Sequence, residues 1–264
     1  MKNLAASERA SLIRLASTLP KGSEERKAIL AGLAKVSRWE VNVSGKHIFD
    51  SATVTGKAEV SGDAVVRDRA WVGDRARIRD HAVISGMAFI KDDVEVSNKA
   101  QVSGQAHVME DARISGNARV FGKARIYGYA HIEGNVRVYR NAHIDGRAEV
   151  SGDATVSGDA RVHGPAKVTD KAKVGGKAVV AGDAHIGDRA LIEGNAVVRG
   201  KARVSGKAQV YGKAEVTGNA QVSGDAMLAG TARIAGRAVI LGGYWDGSEG
   251  EITEGTWNAP GVPT

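Results

Sequence analysis

The chain has 264 residues, with 37 Lys and Arg against 30 Asp and Glu (formal charge +7), 5% aromatic residues and no cysteine. The lack of cysteine excludes a disulfide framework, a thiolate metal site and a cysteine nucleophile. There is no apolar run of about 18 residues to span a bilayer, and no basic start followed by an apolar leader, so a soluble protein that does not enter a membrane is expected.

Residues 1–38 predict two short helices. Leu12, Ile13, Leu15, Ala16 and Leu19 form an apolar stripe at helical spacing, with Ser7 as N-cap and Pro20 to Gly22 as the break. Ser23 opens the second helix, whose first turn is acidic (Glu24, Glu25) and whose apolar face is Ile29, Leu30, Leu33 and Val36. Helices this short need a dock. Either they cap the open end of the repeat that begins at Ile48, or they form a leader that binds a partner. The segment is basic, with eight Lys/Arg against three Glu, whereas residues 243–264 hold four acids and no Lys or Arg. That polarity favours head-to-tail contact if the two tails are more than solvated ends. Residues 39–47 lead in irregularly, Trp39, Val41 and Val43 alternating as in a strand.

From Ile48 to Ile240 an aliphatic residue stands at every sixth position, 33 in register, and the unit reads A-x-V-x-G-x. From Val54 onward an alanine precedes each by two residues, replaced only by Val94 and Val136. A period of six suits neither a helix nor a heptad, but it does suit a short strand and a turn. Residues two apart share a side of a strand, so alanine and valine face inward and the residue between them faces water. Glycine, aspartate and asparagine two places after the aliphatic residue accept the positive φ of a sharp corner. Three units close an 18-residue triangular coil, and about 11 coils, stacked about 4.8 Å apart, make a prism roughly 50 Å long. The expected fold is therefore an all-β solenoid, a parallel β-helix over residues 48–242 filled by its own side chains. After Gly242 the pattern breaks into a Gly-rich acidic tail, 243–264, with Trp245 and Trp257 as an irregular lid over the last coil.

Residues 18 apart stack in columns on three faces. The second face, Glu59, Arg77, Glu95, Arg113 and onward, mixes signs and neutralises itself. The other two begin apolar: Val65, Val83, Trp71 and Phe89, joined across a shared corner by Met87, form a patch to be covered by the N-terminal helices or by a neighbouring subunit. Further along they turn basic. Arg125, His143 and Arg161 stack after His107, as do Arg119 and Arg137, with Tyr127, Phe121 and Tyr139 two residues beyond Arg125, Arg119 and Arg137. Stacked like charges favour an anionic partner, and arginine beside aromatic rings can hold a phosphate backbone and stack bases. The plainer alternative is that the arginines lie over the rings as cation–π pairs and keep the rod soluble.

The unit resembles the hexapeptide repeat of left-handed parallel β-helix proteins, in which a small residue follows the aliphatic one by four, as in Val60 then Ala64 and Val66 then Ala70. The resemblance covers about three quarters of the chain. It implies left-handed winding, which right-handed bactofilin-type helices rival, and a bacterial cytoplasmic or phage-associated setting. It also implies acyl-CoA-dependent acyl transfer at a site between subunits, under a loop thrown out from one coil and with a histidine as general base. His107, His131, His143, His163 and His185 are available, but no insertion interrupts the period to supply such a loop. No phosphate loop, H-E-x-x-H or G-x-S-x-G element is present, and the threonines form no ladder for ice. The function expected is a non-catalytic, rigid scaffold, open to self-assembly or to another protein partner, with nucleic acid or another polyanion on the basic belt. Acyl transfer is the alternative; no catalytic residue, metal or cofactor is assigned.

Overall fold

The computed structural model describes residues 48–259 without a break, together with Leu15, Thr18, Leu19, Ser23, Lys27, Ile29, Asn42, Val43, Val262 and Pro263. The expected N-terminal helices fall almost wholly outside the described residues; Leu15, Thr18, Lys27 and Ile29 are helical. Whether residues 1–38 cap the first coil therefore lies outside them too. Of the lead-in, Asn42–Val43 is a strand paired in parallel with Glu59–Val60.

The rest is an all-β parallel solenoid. Two-residue strands fall into three sheets of 12, 14 and 11 strands, which are the first, second and third faces of the prism. The register is the one the period demands: Arg125 pairs with His143, Glu149 with Lys167 and Arg119 with Arg137. Three of every six backbone N–H groups reach the next coil. Lys123 N donates to Arg140 O at 2.7 Å, Arg125 N to Ala142 O at 2.9 Å and Tyr127 N to Ile144 O at 3.0 Å. Such a ladder lets a core of small side chains suffice, because the backbone supplies cohesion that larger residues give elsewhere.

The core is the alanine and aliphatic columns, almost all at 0–1% exposure from Ala58 to Ile240. Val94 and Val136 occupy alanine places and are equally buried. At the corners the second residue of each turn, two places after the aliphatic one, has positive φ. It is mostly glycine, but Asp68, Asp80, Asp92, Glu110, Asp170 and Asp188 stand there too. Their carboxylates offset the strain by accepting the N–H of the corresponding residue one coil on, as Asp68 does from Gly86 at 2.8 Å and Asp188 from Gly206 at 2.8 Å.

Winding continues beyond Gly242, where an irregular lid was expected. Tyr244–Trp245 pairs with Met227–Leu228 at a step of 17 residues, and Glu251–Ile252 pairs with Arg233–Ile234. Trp245 takes the aliphatic place, 1% exposed, with its indole edge-on to Trp257 at 6.1 Å. Both indole N–H groups are satisfied, by Gly242 O at 2.8 Å and Glu254 O at 2.9 Å. Thr256–Ala259 then pairs antiparallel with Val262–Pro263, which ends the parallel stack on the second face. The tryptophans are thus the core of a final coil as well as its cover. That coil differs from those before it in its larger inward side chains, in the glycines Gly243, Gly250 and Gly255 at the alanine places, and in steps that depart from six.

Candidate functional site

Apart from Tyr127, which follows the first-face strand, the belt and patch residues singled out in the sequence lie about one edge of the prism, where the chain turns from the third face to the first. In the middle coils this edge is made by Gly122, Arg140, Gly158 and Gly176, all at positive φ. Phe121, Tyr139, Ser157 and Gly175 come just before it, and Lys123, Asn141, Asp159 and Lys177 just after. Residues 18 apart therefore line up on each side, and a groove lies on either flank.

The first-face groove, about 540 Å³, is lined by Lys123, Arg125, Asn141, His143, Asp159, Arg161, Lys177 and Val179. Asn141 donates to Asp159 at 2.8 Å, which ties down the one carboxylate in it. Among the described residues no carboxylate forms an ion pair with Lys123, Arg125, Arg161 or Lys177, nor with Arg119, Arg137 or Lys173 on the third face. The second face behaves as expected: Lys167 donates to Glu149 at 2.7 Å, and Arg79 pairs with Glu95.

His143 sits at the floor of the groove, with Tyr127 edge-on at 5.3 Å. Its Nε2 is 3.2 Å from an Asp145 oxygen, but at an angle that makes no hydrogen bond, so this nitrogen is buried and unpartnered. Burial pushes the imidazole below its usual pKa; Asp145 pulls it back up, while Arg125, Arg161 and His163 push it further down. His143 is thus held neutral beside cations.

The third-face groove, about 340 Å³, is lined by Phe121, Arg137, Tyr139, Thr155, Ser157, Lys173, Val174, Gly175 and Glu193. Phe121 and Tyr139 stack at 5.1 Å and 5°. The belt predicted from sequence is therefore two grooves sharing an edge. Arg125, His143 and Arg161 line one and Phe121, Arg137 and Tyr139 the other, while Arg119 lines neither and Tyr127 packs under His143. The cation–π alternative is not what these rings do: among the described residues the one such contact is Arg147 on Tyr129 at 6.0 Å. Sequence reasoning missed Lys123, Lys177, Lys173, Ser157 and Gly175. Taking the column next to each corner, and not only the mid-strand column, would have found all but Lys173, which stood in the mid-strand column already.

The apolar patch lies on the same edge, nearer the first coil. Trp71 and Phe89 stack at 4.6 Å and 12°, and Phe89 meets His107 at 5.7 Å. The Trp71 indole folds over Gly73, where any Cβ would collide with it. Val65 pairs with Val83 on the third face, and Met87 projects at the corner, 44% exposed.

The other described histidines are committed elsewhere or open to water. His131 and His81 lie near Glu133 and Asp63, and His163 is exposed. His185 Nε2 is 3.1 Å from Thr169 Oγ1, whose proton goes to Asp170 at 2.8 Å. The imidazole therefore meets that hydroxyl as a donor and not as its base.

A family model described as YdcK beta solenoid repeat matches residues 112–128 and 148–164. These segments lie two coils apart and carry the strands of Arg119, Arg125 and Arg161, so the chain is similar to that solenoid repeat in its middle coils. No curated protein matches the chain.

Proposed function

We propose that the chain is a rigid, non-catalytic scaffold that presents one long edge to partners. A polyanion docks on the basic belt, and a second copy of the chain or another protein covers the apolar patch of Val65, Trp71, Val83, Met87 and Phe89. The observation that carries this reading is the unbroken winding: among the described residues from 48 to 259 no arm leaves the prism, and its grooves are shallow channels between side chains. Catalysis asks for groups held around a reacting atom and shielded from water, and regular walls supply neither. Walls do supply columns of identical spacing, which suits an extended partner that makes the same contact repeatedly.

The test has two arms. Incubation with acetyl-CoA and amine or hydroxyl acceptors is expected to yield no transfer; transfer abolished by His143→Ala would establish the acyltransferase reading implied by the hexapeptide resemblance and sink the scaffold one. Heparin retention is expected and should fall steeply with salt. A solution mass above that of one chain, reduced to one chain by Trp71→Arg, identifies a second copy as the cover of the patch.

A further inference from the structure

The ring column beside the edge stops short. Phe121 and Tyr139 occupy successive coils and stack in parallel, but the next two places hold Ser157 and Gly175, and the one after holds Glu193. The third-face groove spans this interruption, with Tyr139, Thr155, Ser157 and Gly175 among its lining residues. At about 340 Å³ it lies within the range of roughly 300–1,000 Å³ in which small ligands are held. Arg137 and Lys173 flank it, and a Glu193 oxygen hangs over Gly175, 3.3 Å from where a Cβ would stand. That carboxylate can accept from an exocyclic amine. Across the low glycine edge of Gly158 and Gly176 lie the unpaired cations of the first-face groove. A flat ring-sized gap, an acceptor at its far side and cations over the edge are complementary to a base with its phosphates.

We propose that the anionic partner is a single-stranded nucleic acid, with one base lying against Tyr139 in the gap over Ser157 and Gly175 while the adjoining phosphates cross the edge into the four-cation groove. The inference rests on the scaffold-with-belt reading and narrows it. Duplex bases are stacked on each other and cannot enter the gap, and a sulfated polysaccharide needs only the cations.

The experiment measures the binding of a fluorescent dA 12-mer by anisotropy over a salt series, beside the dA·dT duplex and a heparin column. The single strand is expected to bind more tightly than the duplex, with a log–log salt slope of about −3, or roughly 0.7 for each of four phosphate contacts. Tyr139→Ala is expected to weaken the single strand about tenfold and to leave heparin retention unchanged. Ser157→Tyr adds a ring in the gap without removing a contact and is expected to do the same, with circular dichroism confirming the winding. Arg125→Gln together with Arg161→Gln lowers both readouts. Single-strand affinity unmoved by Tyr139→Ala and Ser157→Tyr, or a duplex bound as tightly, overturns the base-in-gap inference while heparin retention leaves the belt standing. Failure to bind either the single strand or heparin overturns both.

Discussion

Replacing Gly158 with alanine and, separately, with aspartate isolates what a corner of this prism requires. Gly158 has φ +71°, and a Cβ there would stand 2.6 Å from Gly176 O and 2.9 Å from its N, so the next coil must shift to admit one. Left-handed φ costs a non-glycine residue about 1–2 kcal/mol, and Gly158→Ala is expected to lose at least that. Aspartate meets the same strain but adds an acceptor, as at Asp80, whose carboxylate takes the Asn98 N–H at 2.8 Å. Hydrogen bonds to charged groups contribute about 1.5–3 kcal/mol, taken here as about 1 kcal/mol because the corner is open to water. Asp170 shows the same device in its titration: the Thr169 hydroxyl, and then the Asp188 N–H, hold its carboxyl below the usual range. Gly158→Asp should thus be about 1 kcal/mol less costly than Gly158→Ala near neutral pH. That margin should vanish as pH falls through the folded carboxylate's pKa, since a depressed folded pKa stabilises only above it. Urea unfolding followed by circular dichroism, with hydrogen exchange at the Gly176 amide, measures both. Exchange is the sharper readout because coils of a solenoid open with some independence. Equal losses in the two variants, with Gly176 exchanging alike in both, would refute the corner-carboxylate reasoning.

Trp245→Ala removes the largest buried side chain of the last coil and is expected to cost about 3–5 kcal/mol, felt as early exchange over residues 226–259 while the middle coils stay protected; uniform loss along the rod would contradict it. His143 is expected to titrate below 6.5 in the free protein. The unfolded chain then binds more protons in the window between the folded pKa and 6.5, so stability from this group is complete above 6.5 and declines as pH falls through that window. A bound polyanion opposes the burial and arginine effects, so the pKa should rise on adding heparin, and retention should strengthen as pH drops below 6.5. The imidazole Cε1–H chemical shift reads this directly, and an unchanged titration with ligand present would rule His143 out of the binding groove.

The fold could be read from the sequence because one physical constraint repeats. Alanine and valine two apart must share a side, and a six-residue step closes only by turning at each glycine or aspartate, so the faces, the register and the buried columns all followed from counting. The last coil could not be read that way. Trp245 and Trp257 break the composition but keep the topology, and a 17-residue step is invisible to a search for six. The site was half legible. Mid-strand columns gave Arg125, His143 and Arg161, but a groove also depends on what the neighbouring column lacks. The third-face groove exists because Ser157 and Gly175 are small, and small residues do not announce themselves among charges and rings. His143 illustrates the same limit. Its position was counted correctly, but its buried, unpartnered Nε2 depends on how Tyr127 and Asp145 pack around it.

The core places nearly the same demand on every coil, so it leaves the outward columns free to vary. On the second face the freedom is used to alternate sign, and Glu149 and Lys167, partners in register, pair across coils. A rod that needed only solubility would gain from the same alternation everywhere, because like charges in register destabilise a sheet. In the middle coils the third and first faces instead set Arg119 against Arg137, and Arg125 and Arg161 either side of a half-buried neutral histidine. Long side chains splay and salt screens part of that repulsion, yet the remainder falls on a few adjacent coils whose stability depends on their neighbours alone. Those coils therefore stand to gain most from an anion. On the proposed reading, a polyanion that binds the belt of the folded chain is expected to stabilise those coils by linkage, read as slower amide exchange at the middle coils when heparin is present.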